Sequence, residues 1–468
     1  MVFFLKKKSN ELITLVHSKS SRAISSMIAA MQIVNNLILL FIVFLGFVIV
    51  YPILTIISFS ILAVAYLMVL IAFKGILNHK SKIIFSSENI LVGAIRDAFQ
   101  QIREIIINKN HKYFINKFSA NIRSFNSSMV VTNFIATSPK IIIESIGLVV
   151  LTIVAYNLIS NGNNLIDILP FFVVLGLAAQ RLLPLFQQLY YSFAHIESDY
   201  ATLLEIANNS YLISKEKEFY SYKNIFNGFK TIEFKNVNFD YDEKNIINNL
   251  NVKINCGSKI GIVGHTGSGK STFIDLFLGL NFPRSGSINI DGIELNYENV
   301  NDWQKNISHV SQIFTLSDKS VKENIIFGLE KEKIDTNKIN ELIEKMELTK
   351  LTNNFEQRIN FNVGESAVFI SGGEKQKIAL ARALYKKFNI LVLDEATSSL
   401  DNKNEEKIMN EIFNLKNKTI LIIAHRLSSI KNCDQILEFK DGSIINIGTY
   451  DYLLNNSGTF KEIAKNLK

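Results

Sequence analysis

The residues best suited to chemistry stand in one run, Gly264-His265-Thr266-Gly267-Ser268-Gly269-Lys270-Ser271. It fills every position of the phosphate-loop pattern. Glycines there let backbone N–H groups converge on phosphate oxygens, a lysine reaches the β- and γ-phosphates, and a hydroxyl faces a divalent cation. The context agrees, with strand-like residues 259–263 before the run and an apolar helical stretch, 273–280, after it. A helix N-terminus at that point adds partial positive charge, and Thr272 continues the cradle. A glycine-rich turn that binds nothing is the bland alternative, and eight matched positions in context weigh against it. A second candidate pair closes another apolar run, Ile390-Leu391-Val392-Leu393, which ends in Asp394 and Glu395. Parallel sheets place their ligands at the C-terminal ends of their strands. Asp394 there suits holding Mg2+, directly or through water, and Glu395 suits polarising the attacking water as a general base. Two acids after a strand are also common as a solvated cap.

These residues need a soluble α/β domain to hold them, and residues 229–468 supply one. The charge balance separates this part from the rest. Of 50 Lys+Arg and 42 Asp+Glu, residues 1–228 hold 19 and 11, so the whole excess of +8 lies there. The remaining 240 residues carry 31 of each sign. A neutral soluble part without a basic, aromatic-interleaved stripe argues against nucleic-acid binding. Two cysteines, Cys256 and Cys433, cannot build a disulfide framework or a four-ligand zinc site. The seven histidines are scattered.

The first part reads as a membrane domain, residues 1–209, joined by a polar linker, 210–228. Residues 23–73 contain no Lys, Arg, Asp or Glu. About 20 apolar residues cross a bilayer, so this window holds two spans, 27–49 and 53–73, broken at Tyr51-Pro52. A second charge-poor region gives spans 136–157 and 165–187. Nine Lys/Arg against three acids in residues 74–123 place that connection, both termini and the soluble half on the cytoplasmic side of the inner membrane. Within residues 74–128, apolar positions Ile90, Leu91, Ala94, Ile95, Ala98, Ile102, Ile105 and Ile106 recur at helical spacing. The spans are therefore expected to continue as a helical hairpin, turning near residues 108–111. A basic hairpin attracted to anionic headgroups is the alternative to one that presses on the soluble half. Lys140, Glu144, Asp167 and Arg181 are the ionisable groups in or near the last two spans. Lys140 and Glu144 are spaced to pair, Asp167 falls at the outer edge, and Arg181 is the deepest candidate for an anionic substrate.

Between the two phosphate-site elements lies Ile370-Ser371-Gly372-Gly373-Glu374-Lys375-Gln376. This segment resembles the signature motif of ATP-binding cassette (ABC) proteins, and the neighbouring motifs agree in identity and order. The resemblance implies an adenine-stacking role for Tyr241, a γ-phosphate and Mg2+ sensor in Gln312, an interface loop in Ser398-Ser399-Leu400-Asp401, and a γ-phosphate contact in His425. Val363-Gly364-Glu365 resembles an exporter-specific loop. Departures are Glu374 for a common glutamine, Lys377 for arginine, Ala367 for glycine, Ser399 for alanine and Tyr450 for histidine. Lys377 is the least innocent, since an ammonium cannot make arginine's two-pronged fork.

The fold class expected is an all-α polytopic membrane domain followed by an α/β P-loop NTPase domain. The family resemblance implies an exporter or flippase half-transporter using ATP and Mg2+. In it, two chains share two ATP sites, with Ser371, Gly372, Gly373 and Glu374 facing the nucleotide of the other chain. A homodimer is favoured over a heterodimer, in contact with membrane lipid; the substrate stays open between an anionic lipid-linked molecule, an apolar drug-like compound and a peptide. Such half-transporters have six membrane helices and four are visible here, so truncation of a longer ancestor is the expectation. A non-transporting ATP-binding remnant and one half of a heterodimer remain alternatives.

Overall fold

The computed structural model describes residues 7–50, 52–160, 165–217, 225–226, 228–241, 244–328, 334–348, 355–424 and 426–466. The chain divides into two compact units, with the boundary between Lys215 and Glu216.

The first unit is helical throughout. Helix α1 (Ser9–Thr14) runs through a π-helical turn, Leu15–Lys19, into α2 (Ser20–Val50). Helix α3 (Pro52–Gln100) begins on a proline, where the missing N–H costs nothing because the first turn has no acceptor for it. A short α4 (Ile102–Ile107) and a turn at residues 108–110 lead into α5 (His111–Ser160). Then come α6 (Leu165–Ser198) and α7 (Tyr200–Lys217). Residues 210–217, read from the sequence as linker, are thus the end of α7. Among the described residues, three helical stretches within α1–α5 are long and apolar enough to cross a membrane. The loop around Asn161 falls outside the described residues, as does Tyr51.

Leu40, Tyr66, Leu77, Leu182, Phe186 and Tyr190 form the buried seam of this unit. Pro139 lies inside α5 and cannot donate to the carbonyl of Ile135, four residues back. The Tyr190 hydroxyl donates to that carbonyl at 2.9 Å. One turn away, the Gln187 amide donates to Ala136 O at 3.0 Å and accepts from Tyr66 at 3.2 Å. In an apolar medium an unpaired carbonyl is costly, so α6 repairs what the proline breaks in α5. Lys140 and Glu144 approach to 3.9 Å and are both half-exposed, and Arg181 is exposed on α6. The side chain of Asp167 is outside the description.

Charged groups gather where the turn Leu15–Lys19 and the start of α2 meet α3 and α7. Lys19 is fully buried, 2.5 Å from Glu205 and 4.0 Å from the centre of the Phe85 ring. Lys7 adds a bond of 2.9 Å to Asn209 and lies 3.5 Å from Glu205. Arg22 sits between Glu88 (3.7 Å) and Asp199 (4.0 Å).

The second unit is α/β. A four-stranded antiparallel sheet has the order β2-β1-β4-β5, from β1 (Thr231–Tyr241), β2 (Lys244–Asn255), β4 (Ser285–Ile290) and β5 (Ile293–Glu294). Strand β1 is bulged between Phe234 and Phe239 where it pairs with β2, a strand the sequence reading does not anticipate. A six-stranded sheet has the order β10-β9-β3-β8-β7-β6, parallel except for β10. Its strands are β3 (Lys259–Gly264), β6 (Ile307–Val310), β7 (Ile390–Asp394), β8 (Thr419–Ile423), β9 (Gln435–Lys440) and β10 (Ser443–Gly448). Residues 390–393 and 419–423 are buried at every position, as central parallel strands covered on both faces require. Helix α8 (Lys270–Phe277) follows β3, starting three residues earlier than the apolar run alone indicated. Helices α9 (Gly372–Tyr385) and α10 (Asn402–Phe413) flank β7.

Candidate functional site

The glycine loop joins the end of β3 to α8. Gly264 has φ +153, and a Cβ there would stand 2.4 Å from Phe439 O. Gly269, at φ +101, is hemmed in by Ile247 and caps α8 in a left-handed conformation. Both positions exclude an L side chain, which is why the spacing of glycines is fixed. The loop is held by the Ser268 N–H on His265 O (3.1 Å) and by the Gly442 N–H on Ser268 O (3.1 Å). The Ser268 hydroxyl is buried and has no hydrogen-bond partner within the protein. A buried hydroxyl left over in a cradle of backbone donors at a helix N-terminus fits an anionic phosphate group. Gly267, His265 and Thr266 form the exposed lip, Ser271 is exposed at the start of α8, and Thr272 is buried beneath it.

Lys270 folds back over the loop, donating to Gly264 O at 2.7 Å and His265 O at 2.9 Å. Burial pulls its ammonium below the ordinary lysine value, while Glu395 and Asp394 pull the other way. Those two acids lie at the C-terminal end of β7, as the apolar run indicated. Gln312, just beyond β6, donates its amide to Glu395 Oε2 at 2.5 Å. Glu395 has φ +52, an uncommon conformation for a side chain of that size, and its N–H is held by Ile423 O at 3.1 Å. The protein thus holds a carboxylate in a strained turn at the strand end. Strands β3, β6 and β7 together bring Lys270, Gln312, Asp394 and Glu395 to one place. Ser271, Gln312 and Asp394 offer the oxygen donors that suit Mg2+. His425 lies outside the described residues.

Tyr241, at the end of β1, is exposed, meets Phe239 edge-on at 4.9 Å, and accepts from Asn281 at 2.9 Å. Its hydroxyl also lies 3.4 Å from Asp275, whose carboxyl burial pushes above the usual range. An exposed ring with a pinned hydroxyl is suited to stacking on a planar base.

Ser371 caps α9 in a reciprocal box. Its hydroxyl receives the Glu374 N–H at 3.3 Å, and its own N–H donates to the Glu374 carboxylate at 2.8 Å. The box accepts Glu or Gln at that position, so the departure at 374 keeps the local structure. Gln376, at the start of the second turn of α9, donates to Ser398 at 3.0 Å and accepts the Ser399 N–H at 2.8 Å. Two hydrogen bonds thus tie the start of α9 to the loop at 398–401. Lys377 is buried and turns to Glu347, 3.9 Å away. Ala367, where glycine is common in the family, has φ +56.

Sequence reasoning missed a buried knot beside this site. Glu405 on α10 accepts from Thr397, Ser429 and Arg426. Its only sequence signal was a run of mixed charge that reads as a solvated helix face.

Comparisons with known proteins agree on what the chain resembles. The sequence profile of the ABC transporter family matches residues 247–398. An export ATP-binding/permease protein of Rickettsia typhi is 32% identical over 413 residues, 85% of this chain and 69% of that protein. An ATP-dependent lipid A-core flippase of Pseudoalteromonas translucida is 39% identical over 240 residues, 50% of this chain and 41% of the flippase. Among solved structures, a bacterial Atm1-family ABC exporter with ATP bound aligns with a TM-score of 0.86 at 22% identity, covering 98% of this chain and 82% of that one. At that identity the likeness concerns the fold: apolar helices followed by an α/β nucleotide-binding unit.

Proposed function

Since the chain belongs to the ABC transporter family, we propose that it hydrolyses ATP to drive export or lipid flipping across the cytoplasmic membrane. In this reading residues 1–209 are the membrane domain and 229–468 the cassette, with 210–228 joining them. Both termini are cytoplasmic, a side supported by the basic excess of residues 74–123. The observation that carries the proposal is the Gln312–Glu395 contact of 2.5 Å beside Lys270 and the glycine loop.

The loop N–H groups, the N-terminus of α8 and the Ser268 hydroxyl bind the phosphates, and Tyr241 stacks on the adenine. Lys270 leaves its loop carbonyls for the β- and γ-phosphate oxygens, where it neutralises charge. Ser271, Gln312 and Asp394 would hold Mg2+, which would supply further charge neutralisation on the phosphates. Glu395 takes a proton from the water whose oxygen bonds to the γ-phosphorus as the bond from that phosphorus to the ADP oxygen breaks, while Gln312 holds the Glu395 carboxylate in place. His425 completes the γ-phosphate contacts. A second copy of the chain brings Ser371, Gly372 and Gly373, with Glu374 behind them, to the opposite face of the nucleotide. ATP then favours the closed pair of cassettes and hydrolysis releases it, which switches the membrane domain between two states.

The substrate we assign is an anionic, lipid-linked molecule, and Arg181, exposed on an apolar helix, is its candidate contact. Lys140 is a weaker candidate because Glu144 offsets it.

The test is ATP turnover by the purified full chain beside Glu395→Gln. Wild-type hydrolysis that falls by at least about a hundredfold in the variant, with nucleotide still bound, is the expected outcome. Equal rates in the two proteins would remove the hydrolytic reading.

A further inference from the structure

Resting on that hydrolytic reading, we infer that Glu405 is a positioning residue for ATP hydrolysis. Its buried carboxylate ties together the segment after Glu395 and the segment after His425. Only 3% of Glu405 is exposed. One carboxylate oxygen accepts from the Thr397 hydroxyl at 2.9 Å and from the Ser429 hydroxyl. The other accepts from the Arg426 guanidinium at 2.6 Å, and the same guanidinium nitrogen donates to Asn402 at 2.7 Å. Thr397 lies two residues beyond Glu395, Arg426 follows His425 directly, and Ser429 closes the short turn Leu427–Ser429. One side chain therefore gathers three segments: the strained turn carrying the general base, the helix that follows residues 398–401, and the segment Arg426–Ser429.

The capping of α10 does not account for this arrangement. Asp401 already caps that helix through the Asn404 N–H at 2.8 Å, and Glu405 turns inward. Stability alone does not call for a charge here either, since well-packed apolar residues often replace a buried ion pair without loss. What the charged knot adds is geometry. Glu395 sits at φ +52 and needs surroundings that hold it there. A shift of about 1 Å in a reacting group is enough to cost a large factor in rate.

The experiment measures ATP turnover, affinity for a fluorescent ATP analogue and thermal midpoint of the full chain. The variants are Glu405→Gln, Arg426→Gln and the two combined, with Glu395→Gln as control. Expected are a kcat at least about tenfold lower in Glu405→Gln with KM changed less than about threefold, and a double variant no worse than the poorer single one, because the pair acts as a unit. A folded Glu405→Gln with wild-type kcat, or a lower thermal midpoint with unchanged kcat per folded molecule, would overturn the inference. Should Glu405→Gln fail to fold, Ser429→Ala keeps the carboxylate–guanidinium pair and removes one donor. It is expected to lower kcat about threefold at unchanged KM, and unchanged kcat there overturns the inference. A wild type no faster than Glu395→Gln sinks the hydrolytic reading and this inference with it. A fast wild type with an equally fast Glu405→Gln sinks only the positioning role.

Discussion

The helical unit and the nucleotide-binding unit bury polar groups in different ways. In the α/β unit the helix starts and the phosphate cradle are settled by near neighbours and backbone, although Glu405 also gathers partners from farther along the chain. Ser320 and Glu323 box one helix, Ser371 and Glu374 another, and glycines with positive φ shape the phosphate cradle. In the helical unit the partners are far apart in sequence. Lys19 finds Glu205, Arg22 lies near Asp199, and Tyr190 reaches Ile135. A bundle of uniformly apolar helices has many packings of similar energy. A few long-range polar pairs give one of them an advantage, because any other leaves buried charges unmatched.

That contrast can be tested at its strongest point with Glu205→Ala. It leaves the fully buried Lys19 without its carboxylate, and the helical unit should lose about 3 kcal/mol, read as a lower thermal midpoint in detergent. Lys19→Met combined with Glu205→Leu should recover most of that loss. If the single variant is neutral, long-range ion pairing does not organise the bundle.

The proline repair offers a finer test. Tyr190→Phe should cost about 0.5–1.5 kcal/mol in the wild type and markedly less in a Pro139→Ala background, where the residue 139 N–H can serve Ile135 O. Equal costs in both backgrounds would mean that the hydroxyl has no such role.

In the α/β unit, Ala367→Gly should stabilise by no more than about 0.5 kcal/mol, measured by chemical denaturation, because the buried Ala367 methyl is lost. Glycine relieves a left-handed backbone at a cost of roughly 1–2 kcal/mol to alanine, partly offset by its looser unfolded chain.

The smallest effect concerns pH. The folded Asp275 carboxyl titrates above its unfolded counterpart because it is buried. Below the ordinary carboxylate range both states are protonated and nothing is lost. As pH rises through that range the unfolded state ionises first, so stability falls, and the penalty persists above the folded value. Asp275→Asn should flatten this part of the stability–pH curve. A curve of unchanged slope would show that the carboxyl is not held in its neutral form.

The same contrast explains what the sequence could reveal. Glycine spacing and the run into Asp394 and Glu395 are local signals, and the structure has them where the residues indicated. The helical repeat of residues 90–106 foretold helix beyond the apolar spans, because periodicity is also local. Strand β2 was missed because its solvent-facing positions carry several asparagines, which mimic a loop. Lys19 and Glu405 were illegible for another reason. A charged residue amid others reads as solvated, and only tertiary packing turned these two inward. Ala367 was flagged as a departure, but its significance needed the backbone angle.

One helix described above has a mechanical consequence. With 49 residues and no interior proline, α3 is a rod of ~74 Å, so a tilt of ~5° about one end sweeps the other through ~6 Å. Such a rod works as an amplifier with a fixed gain. It turns an angular change too small to disturb side-chain packing near the pivot into a displacement at the tip larger than one helical turn.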